Sequence, residues 1–491
     1  MNYNSTRKWN KNGESGYESA YVIKNGLAAD GGLYVPESIP TLDEVTVTAL
    51  AGMTYPERAA YILSLFLTDY TDSELKKATE AAYSKEKFGG PAAPIAKVGG
   101  EYFLELWHGP TSAFKDMALQ IMPHLLSLSL GKTGEEKDAY ILVATSGDTG
   151  KAALEGYCDI DRVRIQVFYP VNGVSNIQKK QMASQKGKNV EVVAINGNFD
   201  DAQSGVKAIF ADENAKKLLD DNGYFFSSAN SINWGRLAPQ IVYYVSAYCD
   251  LLAEGEIKYG ELLDVTVPTG NFGNIFAAFI AKKMGLPLGK LVCASNKNDI
   301  LTDFINTGVY DKRREFFTTV SPSMDILISS NLERLLWFTV GPDVTKDCME
   351  KLSREGIYSL GKAEMDAIRK DFAGYSCTED ETKQTISETF AEYGYLCDTH
   401  TAVAAGCAKK YIEESGSKRK MLVVSTASPY KFAPAVLSAL GEEVPADDFD
   451  ALDKLFAVTK CAIPANLANL RDAEVRFTKT IDPKEMVNSL L

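Results

Sequence analysis

Between Ile95 and about Gly441, short β-branched apolar runs alternate with longer stretches whose apolar positions return every three or four residues. The short runs read as strands and the longer ones as amphipathic helices, so this part of the chain predicts an α/β region with a largely parallel sheet. The expected strands are Tyr102–Trp107, Ala139–Ala144, Arg164–Tyr169, Val190–Ile195, Asp264–Pro268, Lys290–Ser295 and Met421–Ser425. Residues 1–92 read differently. A turn-rich opening (Ala29-Asp30-Gly31-Gly32, then Pro36 and Pro40) gives way to helical patterning and ends in a linker, Lys87-Phe88-Gly89-Gly90-Pro91. The α/β region is expected over 93–440, interrupted from about 296 to 394 by a charge-rich helical insertion. Residues 441–491 are expected to form a C-terminal extension.

Composition narrows the function classes. Lys and Arg number 52 against 65 Asp and Glu, a net charge of −13, which disfavours an extended nucleic-acid footprint. An anionic small-molecule substrate stays admissible, held by local basic groups and backbone N–H donors. The eight cysteines are scattered without a CxxC pair, and the three histidines have no ligand spacing, so no metal site is expected. No apolar run is long enough to cross a membrane, and Met1–Asn12 is polar, which makes the cytoplasm the expected compartment. Monomer and dimer are equally compatible with the sequence.

In open α/β sheets ligands sit beyond the carboxyl ends of the strands, so the loops that follow each strand carry the candidate chemistry. After Trp107 comes His108-Gly109-Pro110-Thr111-Ser112-Ala113-Phe114-Lys115-Asp116, leading into a helix marked by Phe114, Met117, Ala118, Ile121, Met122, Leu125 and Leu126. Thr111 or Ser112 is expected to cap it, placing Lys115 in the first turn, where the helix dipole disfavours an ammonium and lowers the lysine's pKa. A neutral amine is what Schiff-base chemistry needs. After Ala144 the loop Thr145-Ser146-Gly147-Asp148-Thr149-Gly150 sets hydroxyls and N–H groups at a helix start, suited to an anion but without the Walker spacing. After Pro268, Thr269-Gly270-Asn271-Phe272-Gly273-Asn274 opens an apolar helix and offers close backbone approach to a phosphate. After Val424, Ser425-Thr426-Ala427-Ser428 offers a hydroxyl to a heteroaromatic nitrogen. The segment Ser228–Arg236 gathers amides, hydroxyls and an arginine that could fork onto a carboxylate or phosphate.

Taken in order, these segments resemble one family. Trp107–Thr111 running into Ala113–Ala118 resembles the cofactor-lysine segment of threonine synthases, and Leu27–Pro36 and Tyr3–Arg7 resemble that family's N-terminal phrases. Ala144–Gly150, Asn196–Asp201, Ser228–Arg236, Pro268–Asn274, Ser321–Ile326 and Asp398–Ala402 also match, and the likeness runs from Tyr3 to about Pro434. It points to the longer branch of the family. Lys8, Ala29, Ser428 and Tyr430 depart from the usual residues.

The resemblance implies a fold-type II pyridoxal-phosphate enzyme, similar in fold to the tryptophan synthase β-subunit. Lys115 would carry the cofactor as a Schiff base, Gly270, Asn271, Phe272 and Asn274 would bind its phosphate, and Thr426 would face the pyridine nitrogen. Thr145, Ser146, Gly147, Asp148 and Thr149 would bind the substrate carboxylate, with Ser231, Asn233 and Arg236 as candidates for its phosphate. The implied reaction converts O-phospho-L-homoserine and water to L-threonine and phosphate. The alternatives are a phospho-lyase releasing 2-oxobutyrate, a dehydratase of the same fold, and a non-catalytic phosphate-binding protein.

Overall fold

The computed structural model describes residues 1–8, 16–145, 147–172 and 174–491. Two sheets carry the α/β region. The larger has six strands in the order Phe372–Ser376, Leu288–Ser295, Leu263–Pro268, Lys420–Ser425, Glu101–Glu105 and Ile95–Val98. Its neighbours are parallel except the last two, which form a hairpin. The smaller sheet is parallel throughout, in the order Thr480–Ile481, Val190–Ile195, Val163–Pro170, Asp138–Ala144 and Tyr224–Ser227. The seven expected strands are present, with ends displaced by no more than two residues.

Every residue of Leu263–Pro268 is buried, as expected for a central strand covered on both faces. Its polar members are satisfied one by one. The Thr266 hydroxyl donates to the Ala404 carbonyl at 3.2 Å, and the Asp264 carboxylate accepts from the Lys290 N–H at 2.6 Å and the Ser417 hydroxyl at 2.8 Å. The long helix Trp234–Ala253 is buried nearly all round, packed between Gly273–Lys283 and the N-terminal helices Glu44–Ala51 and Tyr55–Phe66. Among the described residues no helix is long and apolar enough to cross a membrane.

Three features depart from the sequence expectation. The stretch from 296 to 394 is not wholly helical. Phe372–Ser376 joins the larger sheet as its edge strand beside Leu291–Ser295, and Val309–Asp311 pairs with Ile357–Ser359. The C-terminal residues are tied into the body: Thr480–Ile481 extends the smaller sheet, and Asn466 grips the lysine loop, its amide donating to the Pro110 carbonyl at 2.6 Å and its oxygen accepting from the Ser112 hydroxyl at 2.9 Å. The helix expected to begin at the lysine is broken in two, Asp116–Leu119 and Met122–Lys132. Pro123 is the reason, since it has no N–H to give the Leu119 carbonyl and the hydrogen-bond ladder cannot continue.

That freed carbonyl packs against Gly156. A methyl group there would stand 1.9 Å from the Leu119 oxygen and 2.8 Å from its carbon. Backbone on both sides leaves nothing to yield. Gly156→Ala is therefore expected to lower stability by about 1–3 kcal/mol in urea unfolding and to displace the short helix that carries Lys115.

Candidate active site

Lys115 is the N-cap residue of Asp116–Leu119, and neither Thr111 nor Ser112 caps it as expected. Ser112 adopts φ 57°, and the bonding at Thr111 is reversed: its N–H and hydroxyl donate to the Asp116 carboxylate at 2.8 and 2.7 Å. Four residues make too weak a dipole to govern the amine. Burial does so, lowering Lys115 to about 8 against the pull of Asp148, with Lys431 and Arg236 adding to the depression. The lysine amine donates to the Ser323 hydroxyl at 3.3 Å and lies 5.0 Å from the centre of the Phe114 ring.

The loop that follows the strand Lys420–Ser425 lies directly beside the lysine loop. The Phe114 N–H donates to the Thr426 carbonyl at 2.8 Å, and the Ser428 N–H donates to the Ser112 carbonyl at 3.1 Å. The Thr426 N–H donates to the Thr401 hydroxyl at 3.3 Å, while its own hydroxyl has no partner among the described residues.

Gly270, Asn271, Phe272 and Asn274 line the other side. Phe272 takes the left-handed conformation at φ 63° and caps Gly273–Lys283. None of the five backbone N–H groups from Gly270 to Asn274 has an acceptor among the described residues. The carbonyls of the same turn are engaged: Gly270 accepts from the Ser329 hydroxyl at 2.7 Å, and Asn271 accepts from the Asn331 N–H and side-chain amide, both at 3.0 Å. With its carbonyls engaged, the turn keeps its N–H donors unpaired. The Asn274 amide braces the turn by donating to the Pro268 carbonyl at 2.9 Å. Gly270 is needed for closeness, because a methyl group there would stand 2.7 Å from the Ser323 carbonyl oxygen.

The two N-terminal phrases act on this turn from a distance. Arg7 forks onto Glu333 at 2.9 and 3.0 Å, and the Tyr34 carbonyl accepts from Arg334 at 2.9 Å. Arg334 in turn donates to the side chain of Asn331, which holds Asn271.

In the loop after Ala144, Thr145 is a staple, its hydroxyl accepting from the N–H groups of Gly147 at 3.0 Å and Gly150 at 2.9 Å. Ser146 lies outside the described residues. Asp148 is already engaged: Lys431 stands 2.5 Å from it and the Gln178 amide donates to it at 2.9 Å. Burial works to raise that carboxyl, but Lys431 and Lys115 outweigh it and hold it well below the usual carboxylate range. Lys431 also donates to the Thr111 carbonyl at 3.0 Å, tying this loop to the lysine loop. The N–H groups of Asp148 and Thr149, together with the Thr149 hydroxyl, have no acceptor or partner among the described residues.

Of the last three candidates, Arg236 is buried with one nitrogen donating to the Ala229 carbonyl at 2.6 Å, while its Nε has no partner among the described residues. Burial lowers it to about 10, still fully charged at neutral pH. Ser231 is drawn to the phosphate-type turn by Asn331, whose amide also reaches the Ser231 carbonyl at 3.4 Å. Asn233 has no free group: its oxygen caps Trp234–Ala253 at the Gly235 N–H, 2.8 Å away, and its amide donates to the Ile23 carbonyl at 2.8 Å. Ser323, Asn331, Lys431 and Gln178 were not among the sequence candidates. Only Ser323, inside the Ser321–Ile326 phrase, carried a sequence signal.

A lysine whose pKa burial lowers to about 8, a turn of five N–H groups without acceptors among the described residues and a hydroxyl without a partner there all lie at the carboxyl ends of parallel strands, an arrangement suited to a ligand that carries both an anionic group and an amine-reactive carbonyl. The family model for pyridoxal-phosphate dependent enzymes matches residues 92–427, the threonine synthase N-terminal model matches 2–83 and the threonine synthase C-terminal model matches 401–490. Threonine synthase from Pseudomonas aeruginosa is 38% identical over 462 residues, covering 93% of this chain and 92% of that one. Human threonine synthase-like 1 is 42% identical over 432 residues, covering 85% of this chain and 57% of that protein; the chain thus spans somewhat over half the length of the threonine synthase-like 1 proteins it matches. Among solved structures, PLP-bound threonine synthase from Brucella melitensis superposes with a TM-score of 0.87 at 36% identity, covering 99% of this chain and 98% of that one. Yeast threonine synthase gives 0.88 at 32%, with the same coverage. The chain belongs to the threonine synthase family of pyridoxal-phosphate-dependent enzymes.

The residues fit that cofactor. Its phosphate needs several N–H donors at a helix start, which the turn at Gly270–Asn274 offers, and its carbonyl needs an unprotonated amine, which Lys115 offers near pH 8.

Proposed function

We propose that the protein converts O-phospho-L-homoserine and water to L-threonine and phosphate in the cytoplasm. The observation that carries this reading is the Lys115 amine, lowered to about 8 by burial, beside a turn whose N–H donors are unengaged. Lys115 is the cofactor's attachment point. Gly270, Asn271, Phe272 and Asn274 hold the cofactor phosphate, and Thr426 meets the ring nitrogen with a neutral hydroxyl. When bound, pyridoxal phosphate supplies the electron sink for carbanion chemistry.

The remaining work falls to side chains and backbone of this chain. The free N–H groups of Asp148 and Thr149, with the Thr149 hydroxyl, receive the substrate carboxylate at a helix N-terminus. Thr145 and Gly147 shape that loop, Ser146 belongs to it, and the Asp148 carboxylate locks it to Lys431. Arg236 and Ser231 receive the substrate phosphate, with Asn233 capping the helix that aims the arginine. Lys115 takes the proton from the α-carbon and returns protons at the neighbouring carbons. Phosphate departs from the γ-carbon and water adds at the β-carbon. The purified protein with pyridoxal phosphate and O-phospho-L-homoserine is expected to release threonine and phosphate in equal amounts. Release of 2-oxobutyrate without threonine would instead identify a phospho-lyase, and no turnover at all would sink the assignment.

A further inference from the structure

We propose that Ser323 is the resting partner of the Lys115 amine whenever that amine is not covalently engaged, and that the buried Asp398–His400 pair holds Ser323 in place. This rests on the reading of Lys115 as the lysine that alternates between attachment and proton transfer. Such a lysine has to be caught each time it is released, or its lone pair loses direction between steps.

Three observations converge on Ser323. The first is contact, the Lys115 amine lying 3.3 Å from the Ser323 hydroxyl. That length suits a partner that gives the amine up again. The second is position. Ser323 lies in the single turn Pro322–Met324, and its carbonyl is the group that a methyl on Gly270 would strike. The serine therefore stands between the lysine and the phosphate-type turn.

The third is anchorage. Ser323 is exposed and its turn is short, so by itself it would fix nothing. Its N–H, however, donates to His400 Nε2 at 3.1 Å, which puts the ring proton on Nδ1, directed at the Asp398 carboxylate 2.7 Å away. Both members of the pair are buried, the histidine against the Phe432 ring. Asp398 is itself fixed as the cap of Thr399–Ser415, accepting from the N–H groups of His400 at 2.9 Å and Thr401 at 3.0 Å. The Thr401 hydroxyl also donates to Asp398 and accepts from the Thr426 N–H. One buried carboxylate thus sets both the lysine's partner and the loop that carries Thr426. The flanks of the turn are pinned too, since the Asn296 amide donates to the Ser321 hydroxyl at 2.9 Å and Asp325 at 2.8 Å.

Asp398 and His400 touch no reacting atom and are positioning residues, whereas Ser323 meets the amine directly. The test uses the apo-protein and pyridoxal phosphate, following the near-visible band in stopped flow, together with kcat and KM for O-phospho-L-homoserine. Ser323→Ala is expected to slow both cofactor capture and kcat by roughly ten- to a hundredfold while KM stays within about twofold. Ser323→Thr restores most of the loss. His400→Gln keeps an acceptor for the Ser323 N–H and stays close to wild type, whereas His400→Phe matches Ser323→Ala. Unchanged capture and kcat in Ser323→Ala would overturn the proposal, and so would equal losses in the Gln and Phe variants. Ser323 is exposed, so its alanine variant decides the matter even if a histidine variant fails to fold. Capture needs no substrate. A wild-type protein that takes up cofactor but leaves O-phospho-L-homoserine untouched would overturn the proposed reaction, while the Ser323→Ala capture rate still decides this proposal.

Discussion

Lys115→Ala is expected to abolish the near-visible band of the cofactor-loaded protein and to cut turnover by at least about a thousandfold, since attachment point and proton carrier are lost together. In the wild type, the rate of cofactor capture should climb about tenfold per pH unit and level off near pH 8. Burial sets that value by disfavouring the ammonium, and the amine is the nucleophile only once it has lost its proton. Stopped-flow absorbance across pH 6–10 measures it, and a plateau near pH 10 would mean that the lysine is as solvated as one on the surface.

The Asp148–Lys431 pair is the second large effect. Lys431 is fully buried and Asp148 nearly so, with the charged atoms 2.5 Å apart. Lys431→Met leaves a buried carboxylate without its counterion, and urea unfolding at neutral pH should show a loss of about 3–5 kcal/mol. Asp148 is held below its unfolded pKa, so its stabilising contribution is present above roughly pH 4 and is lost as the pH falls through the folded value. Pairing Lys431→Met with Asp148→Asn should recover part of the loss, because no unpaired charge remains.

The same two substitutions act on Lys115 in opposite directions. Lys431 helps to depress the lysine and Asp148 opposes that depression. Lys431→Met should therefore move the capture profile to higher pH, and Asp148→Asn should move it lower. Shifts in the same direction would show that both variants act through distortion of the loop and not through charge.

Much of the frame was legible in the sequence because local pattern dictates it. The strand Val190–Ile195 and its neighbours announce themselves through β-branched apolar runs, and the loops that follow four of the strands are brought together around Lys115. The strand Phe372–Ser376 was hidden by the charge-rich helices on either side and by its own Gly374. Lys115 was recognisable, but the physical reason for its depressed pKa was not. Helical spacing suggested a continuous helix and a dipole, whereas Pro123 breaks the helix and burial does the lowering. Spacing along the chain does not reveal which distant polar groups pair. Asp148 reads as a free group beside a glycine until the fold brings Lys431 onto it, and Asn233 reads as a ligand group until Ile23 takes its amide. Asn466, in a segment with little sequence signal, reaches the lysine loop only through the folded chain.

Borohydride reduction of the cofactor-loaded protein, followed by digestion and peptide mass mapping, tests the assignment of the lysine most directly. The phosphopyridoxyl group should be recovered on the peptide that contains Lys115, and on no other. Recovery on a different lysine, or a protein that retains no cofactor to reduce, would contradict the account.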